Sequence, residues 1–255
     1  PQERAASVQQ RLTPMTENQS INFDRAVNFY DQSRGFPEGL DEQSAALIVE
    51  AAMLTNDSRV LEIGIGTGRI ALPLSQHVGA VYGADISTGM MGLLLDKRTA
   101  EPVQPVQADA HHLPYATNAL DAAVVVHVFH LVADAERVIS ELGRVLKPNG
   151  VIVQCWNTND NTFGELRRSW QQASGKDRNR QWQEANTILD TLGYQHREER
   201  TITYHVQQAP ADFIDRFRRR VWSSTWDLTD DEHTRGLAAM QQHASAHFDD
   251  IAAPI

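Results

Sequence analysis

The chain has 255 residues, 41% of them hydrophobic and 22% charged, and a net charge of −10 from 33 acidic against 23 basic side chains. That is ordinary globular usage, with enough length to bury a sizeable core. The acidic balance argues against broad polyanion binding, which needs clustered cations, and the single cysteine, Cys155, excludes an internal disulfide or a Cys-rich metal site.

A reducing, cytoplasmic setting is expected from that cysteine usage. No apolar run is long enough for a membrane span, and the opening PQERAASVQQR is too polar for a signal peptide. Residues 1–20 are polar and patternless and read as a leader or weak helix. Phe23, Val27 and Tyr30 then recur at helical spacing and stop at Gly35 and Pro37, and a second helix is expected over 40–54. From Arg59 the pattern alternates. RVLEIGI, AVYGADI, PVQAD, DAAVVVHVF and VIVQCW read as strands, and RIALPLSQHV, GMMGLLLDKRTA and AERVISELGRVL as the helices between them. Unbroken Val and Ile runs between helices indicate a parallel sheet covered on both faces, hence a doubly wound α/β fold.

After Trp156 a polar, Arg- and Gln-rich stretch leads to an expected helix over 181–192, a strand over 199–206, and helices over 211–222 and 230–248. The expected organisation is lid helices in 1–58, a ligand-binding core in 59–208 and a helical cap in 209–255.

The most informative segment is Val60-Leu-Glu-Ile-Gly-Ile-Gly-Thr-Gly-Arg69. Gly64, Gly66 and Gly68 stand where a strand hands over to a helix, and glycine there allows positive φ and close approach of a ligand to the backbone. Their G-x-G-x-G spacing departs from the dinucleotide fingerprint G-x-G-x-x-G. Glu62, just before the loop, is poor company for a pyrophosphate and suits a ligand with an ammonium group. Asp85 ends the next strand, where an acid can accept both hydroxyls of a ribose. Asp109 closes the strand after that and can accept an adenine amine, with Ala110 supplying a backbone N–H. Acids at three successive strand ends make a linear cradle for amino acid, ribose and adenine.

LEIGIGTGR, GADIS, QADAHHLP, LDAAVVVHVFHLV and LGRVLKPNGVIV, in that order over about residues 24–156, resemble the ordered motifs of class I S-adenosylmethionine-dependent methyltransferases. The likeness is to the small-molecule branch that includes ubiquinone and menaquinone biosynthesis enzymes. It implies a Rossmann-like, mostly parallel sheet with a helical cap, S-adenosyl-L-methionine as cofactor and S-adenosyl-L-homocysteine as product. Carried over by position, it implies that Glu62 and Gly64 flank the methionine part and that Gly66 and Gly68 shape the loop beneath it. Asp85 would hold the ribose, Ile86 and Met90 would pack on adenine, and Asp109 and Ala110 would read its edge. His127 would lie beside the methionine part, Tyr30 would close over the cofactor, and Arg34 would pair with its carboxylate. The family's seventh, antiparallel strand is not legible before Ile255, and the chain starts at Pro1, so trimming at one or both ends is expected.

A sulfonium methyl is already activated, so the protein mostly aligns donor and acceptor in line. A general base is needed only if the acceptor must lose a proton, and His127 and His130 are the candidates. The alternatives are a backbone and packing role for His127 and a turn-capping role for His130. His111 and His112 have no obvious third ligand, so no metal is expected. Arg216, Arg218, Arg219 and Arg220 read as a solvated helix face, or else as an attractor for an anionic acceptor. Trp222, Trp226, Phe213 and Phe217 either line an acceptor pocket or pack the cap. No Asn/Asp-Pro-Pro-Tyr/Phe motif occurs, which argues against amino methylation of nucleic acid bases. A small-molecule methyl acceptor is therefore expected. The alternative is a cofactor-binding module without transfer activity that acts through protein partners.

Overall fold

The computed structural model describes residues 20–157, 163–175 and 180–255, so the expected leader up to residue 19 lies outside the described residues. Five strands, β1 (Arg59–Ile63), β2 (Ala80–Asp85), β3 (Val103–Gln107), β4 (Leu120–Val126) and β5 (Leu146–Cys155), form one sheet in the order β3-β2-β1-β4-β5. Every neighbouring pair is parallel. Side chains alternate across the central strands, and both faces are buried. Val60, Ala122 and Val124 join one core cluster, with Ala45 and Ile48 of α2 (Leu40–Ala51), Leu74 of α3 (Ala71–Leu74) and Leu94 of α4 (Thr88–Lys97). Leu61, Ile63, Ala123 and Val125 join the other, with Val138, Ile139 and Leu142 of α5 (Ala135–Val145) and Ala185 of α7 (Arg180–Thr191). The expected doubly wound α/β architecture is thus observed. Chain order reverses between β1 and β4, which opens a crevice at the carboxyl ends of those strands.

Local chemistry sets the element ends. Ser87 caps α4 by accepting the Met90 N–H at 3.1 Å, and Asp134 caps α5 by accepting that of Arg137 at 2.9 Å. The first expected helix is broken into a 3-10 turn (Asp24–Ala26) and a short α1 (Tyr30–Arg34). β3 ends at Gln107, two residues before Asp109, which therefore sits in the following loop. The polar stretch after Trp156 contains α6 (Phe163–Ser174), whose Phe163, Leu166 and Trp170 are buried. These residues pack with Phe213 and Phe217 of α8 (Pro210–Arg218) and Met240 and Ala244 of α9 (Asp230–His247) in a core of their own. This cluster thus joins a helix from before residue 209 to the two that follow it.

The expected strand over 199–206 is absent: residues 195–209 form no strand. The alternation Ile202, Tyr204, Val206 has no buried face, since Tyr204 and Val206 are 43% and 57% exposed. A strand without a face to bury or a ladder to join has little to stabilise it. No helix among the described residues is long and apolar enough to cross a membrane.

The loop after β3 is clamped by one half-buried ion pair. Glu141 accepts the Leu113 N–H at 2.9 Å and two hydrogen bonds from Arg144 at 2.8 Å, while Arg144 also donates to the Leu113 and Tyr115 carbonyls. The Arg144 guanidinium holds the Glu141 carboxyl down to about 2. A depressed carboxyl stabilises the fold above its unfolded value, and that contribution fades as pH falls toward 2. Glu141→Gln should therefore lower stability at pH 7 by about 2 kcal/mol and flatten the loss between pH 5 and pH 2. Urea titrations of both proteins across that range check it, and parallel pH curves would contradict it.

Candidate active site

The crevice is floored by the loop from β1 to α3. Gly64, Gly66 and Gly68 all have positive φ, at 69°, 53° and 77°. Packing closes two of these positions: a Cβ at Gly64 would lie 2.6 Å from Val128 Cγ2, and one at Gly68 2.8 Å from Leu94 Cγ. At Gly66 the nearest atoms would be 3.8 Å away, so glycine is required there by backbone conformation alone. The loop is tied to β2 by the Gly64 N–H on the Ala84 carbonyl at 2.7 Å and the Gly66 N–H on Asp85 Oδ2 at 2.8 Å. Asp85 Oδ1 accepts the Ser87 N–H at 2.8 Å. Burial raises the Asp85 pKa against the pull of these N–H groups.

Glu62 is 3% exposed, and its Oε2 is buried with no hydrogen-bond partner. Burial pushes its carboxyl up to about 8, with Arg69 opposing the shift and Asp85 adding to it. Glu62, Gly66, Thr67, Arg69, Val126 and Tyr30 border a cavity of about 30 Å³, room for one or two waters.

The roof of that cavity is the N-terminal segment, and the side chains that latch it are ones the sequence did not single out. Asp31 accepts a hydrogen bond from Thr67 Oγ1 at 2.6 Å and pairs with Lys97 at 2.8 Å. Asp24 accepts from Ser87 Oγ at 2.5 Å and from the Gly89 N–H at 3.2 Å. Arg69 donates to the Arg34 carbonyl and lies over the Phe36 ring at 4.3 Å. Of these, Thr67 and Arg69 stood inside the glycine motif and were findable there. Asp24 and Asp31 carry no local pattern.

Other expected site residues are distributed less evenly. Met90 is 2% exposed beneath Gly66 and supports the loop from below. Ile86 follows β2, and its carbonyl accepts from the Gln107 side chain at 3.4 Å. Asp109, exposed and next to Ala110, accepts the His111 N–H at 3.0 Å and contacts the His111 ring. His127 follows β4 with φ 54°, its N–H on the Cys155 carbonyl at 3.1 Å. Burial, with Arg69 and Arg34 nearby, lowers its pKa to about 4, against a hydrogen bond to the Asn157 side chain. His130 lies edge-on to His127, with ring centroids 6.5 Å apart.

The cap residues divide. Phe213 and Phe217 are buried in the cap core. Trp226 packs on Phe23 at 4.9 Å and donates to the Arg220 carbonyl at 2.7 Å, joining the segment before α1 to the one after α8. Trp222 instead lies under Arg34, whose guanidinium carbon is 4.3 Å from the ring centre. Arg218 and Arg219 pair with Asp215, and Arg220 pairs with Asp230. Arg216 is partly buried near Arg34 and does not share that solvated face.

A family profile described as a methyltransferase domain matches residues 61–154. An uncharacterized methyltransferase of Mycobacterium tuberculosis is 32% identical over 157 residues, which is 61% of this chain and 60% of that protein. A demethylmenaquinone methyltransferase of Thermus thermophilus is 35% identical over 119 residues, 45% of this chain and 54% of that protein. The chain thus spans about 60% or less of the length of these relatives. Among solved structures, the YcgJ protein of Bacillus subtilis superposes with a TM-score of 0.58 at 18% identity, covering 84% of this chain and 92% of that one. A SAM-dependent methyltransferase of Aquifex aeolicus gives 0.51 at 20% identity, over 67% and 87%. These two likenesses concern the fold. The loop chemistry, the strand order and the domain match thus agree in likening residues 61–154 to a methyltransferase domain with a doubly wound α/β fold.

Proposed function

We propose that the chain is an S-adenosylmethionine-dependent methyltransferase acting on a small-molecule acceptor, with S-adenosylhomocysteine as product. The observation that carries this reading is Glu62, whose unpartnered Oε2 lies at the glycine loop. A buried carboxylate oxygen with no donor is costly, and an ammonium group is the ligand chemistry that relieves it. The methionine end of the cofactor carries one. Likeness to a demethylmenaquinone methyltransferase supports a small-molecule acceptor.

In this reading Glu62 meets the ammonium and the Gly64–Gly68 backbone lies against the methionine part. Asp85 offers its remaining lone pairs to the ribose hydroxyls, and Ile86, Asp109 and Ala110 border the adenine. Arg34 answers the cofactor carboxylate. When bound, the cofactor supplies a methyl group already activated on a sulfonium. The protein's work is then alignment and exclusion of water. Tyr30 and the latches at Asp24 and Asp31 supply the exclusion, and because the cavity beneath them holds so little, ligand entry requires that segment to lift. His127 is neutral at working pH and acts as a hydrogen-bonding wall of the site. A conjugate acid this strong makes it a poor proton acceptor.

Three outcomes test the reading. Asp85→Ala should weaken S-adenosylhomocysteine binding by about 1.5–3 kcal/mol, measured by calorimetry, and an unchanged affinity would remove Asp85 from the site. Glu62 has a folded-state pKa above its unfolded value, so it favours folding at low pH and costs stability as pH rises toward 8. Glu62→Gln should thus raise the melting temperature of the ligand-free protein at pH 8.5 by about 3–6 °C, with little change at pH 5, while weakening S-adenosylhomocysteine about tenfold or more. A melting difference that does not vary with pH would contradict it. Finally, kcat/KM should show no inflection near pH 6.5 that disappears in His127→Asn. Such an inflection would restore His127 as the base.

A further inference from the structure

Where lid and cap meet above the glycine loop, four guanidinium groups converge. Arg34 comes from α1, Arg69 from the glycine loop, Arg167 from α6 and Arg216 from α8, and the last three all lie within electrostatic reach of the first. Arg167 Cζ is 5.7 Å from the Trp222 ring centre and 5.9 Å from that of Phe213, and Arg34 stacks over Trp222. None of the four forms an ion pair with a carboxylate among the described residues, although the chain as a whole carries a net charge of −10. Glu62 is the acid in reach of Arg69, and burial drives it toward its neutral form. The Trp222 Nε1 donor is buried with no hydrogen-bond partner.

Like charges gathered in a partly desolvated space repel, and a buried N–H without an acceptor adds to the cost. An anion placed among them would relieve both. The methionine carboxylate of the cofactor accounts for one anion, next to Arg34 and Arg69. Arg167, Arg216 and the Trp222 N–H come from α6, α8 and the segment after α8, and are left without one.

We propose that the methyl acceptor is an anion whose carboxylate or phosphate oxygens dock on Arg167, Arg216 and the Trp222 indole N–H. This assignment rests on the methyltransferase reading. Burial lowers the pKa of Arg34 to about 10 and also lowers that of Arg167, the direction expected of cations held without counter-charge. The partly exposed Trp222 ring beside Arg167 would contact the body of such an acceptor.

The test uses the full chain saturated with S-adenosylhomocysteine, whose own binding is measured first in wild type, Arg167→Gln, Arg216→Gln and Trp222→Phe. Each protein is then titrated calorimetrically, in low-chloride buffer, with cinnamate, phenyl phosphate and the neutral cinnamamide. Wild type should prefer at least one anion over the amide by about tenfold, the scale of one charge-assisted hydrogen bond. The better anion tells carboxylate from phosphate. Arg167→Gln and Arg216→Gln should each erase most of that preference, and Trp222→Phe, which removes the N–H but keeps the ring face, should reduce it about threefold. Their S-adenosylhomocysteine affinities should stay within about twofold of wild type, which also shows that they are folded. Equal affinity for anion and amide, no binding of either anion, or a preference surviving both arginine variants would overturn the proposal while leaving the methyltransferase reading intact. Failure of S-adenosylhomocysteine itself to bind folded wild type would overturn that reading and the acceptor assignment with it.

Discussion

The bond from the Gly66 N–H to Asp85 Oδ2 couples two neighbouring strand ends, and much of the site hangs on it. A loop of three left-handed glycines has no regular ladder to hold it, and glycine loses more conformational freedom on folding than any other residue. The carboxylate at the end of β2 supplies the missing anchor and simultaneously fixes Ser87, the cap of α4. Met90, one turn into that helix, then sits under Gly66 and supports the loop from below. One acid thus sets the loop, the helix start and the depth of the crevice. It is itself buried enough that losing either N–H would leave a costly oxygen.

Glu62 illustrates a different economy. A side chain in a central strand, opposite Gly83 and Val124, would be most stable as an apolar residue. Its buried carboxyl costs the fold stability once ionised, and in the proposed reading a cation entering the crevice would meet a partner already desolvated. Cys155, the nearest sulfur on β5, feels the same environment: burial, with Glu62 adding, pushes its thiol up to about 12, which leaves it inert as a nucleophile.

The sheet and its glycine loop were readable from the sequence because each rests on local regularities. Unbroken Val and Ile runs mark buried strands, and G-x-G-x-G between a strand and a helix has few structural uses. Asp85 and Glu62 were legible by their distance from those glycines. Asp24, Asp31 and Arg167 were not, because their importance comes from partners 36 to 66 positions away in the chain and no periodicity announces a long-range contact. The expected strand over 199–206 failed for a related reason. Alternation at Ile202, Tyr204 and Val206 specifies a face, and only the tertiary fold decides whether anything lies opposite it. In the same way Arg216 was indistinguishable from Arg218 and Arg219 until the helix was placed.

Arg34 stacks on Trp222 while its carbonyl holds Arg69, so a single residue of α1 bridges the lid, the glycine loop and the cap. In the proposed reading, raising this segment to admit a nucleoside would therefore also part Arg34 from Trp222 and Arg69. The two ligands would then not meet equivalent proteins: the first to arrive would find the segment raised, and the second would find those contacts remade only after the segment has settled. In the proposed reading, geometry of this kind would favour an order of addition, with the nucleoside bound before the acceptor and leaving after it.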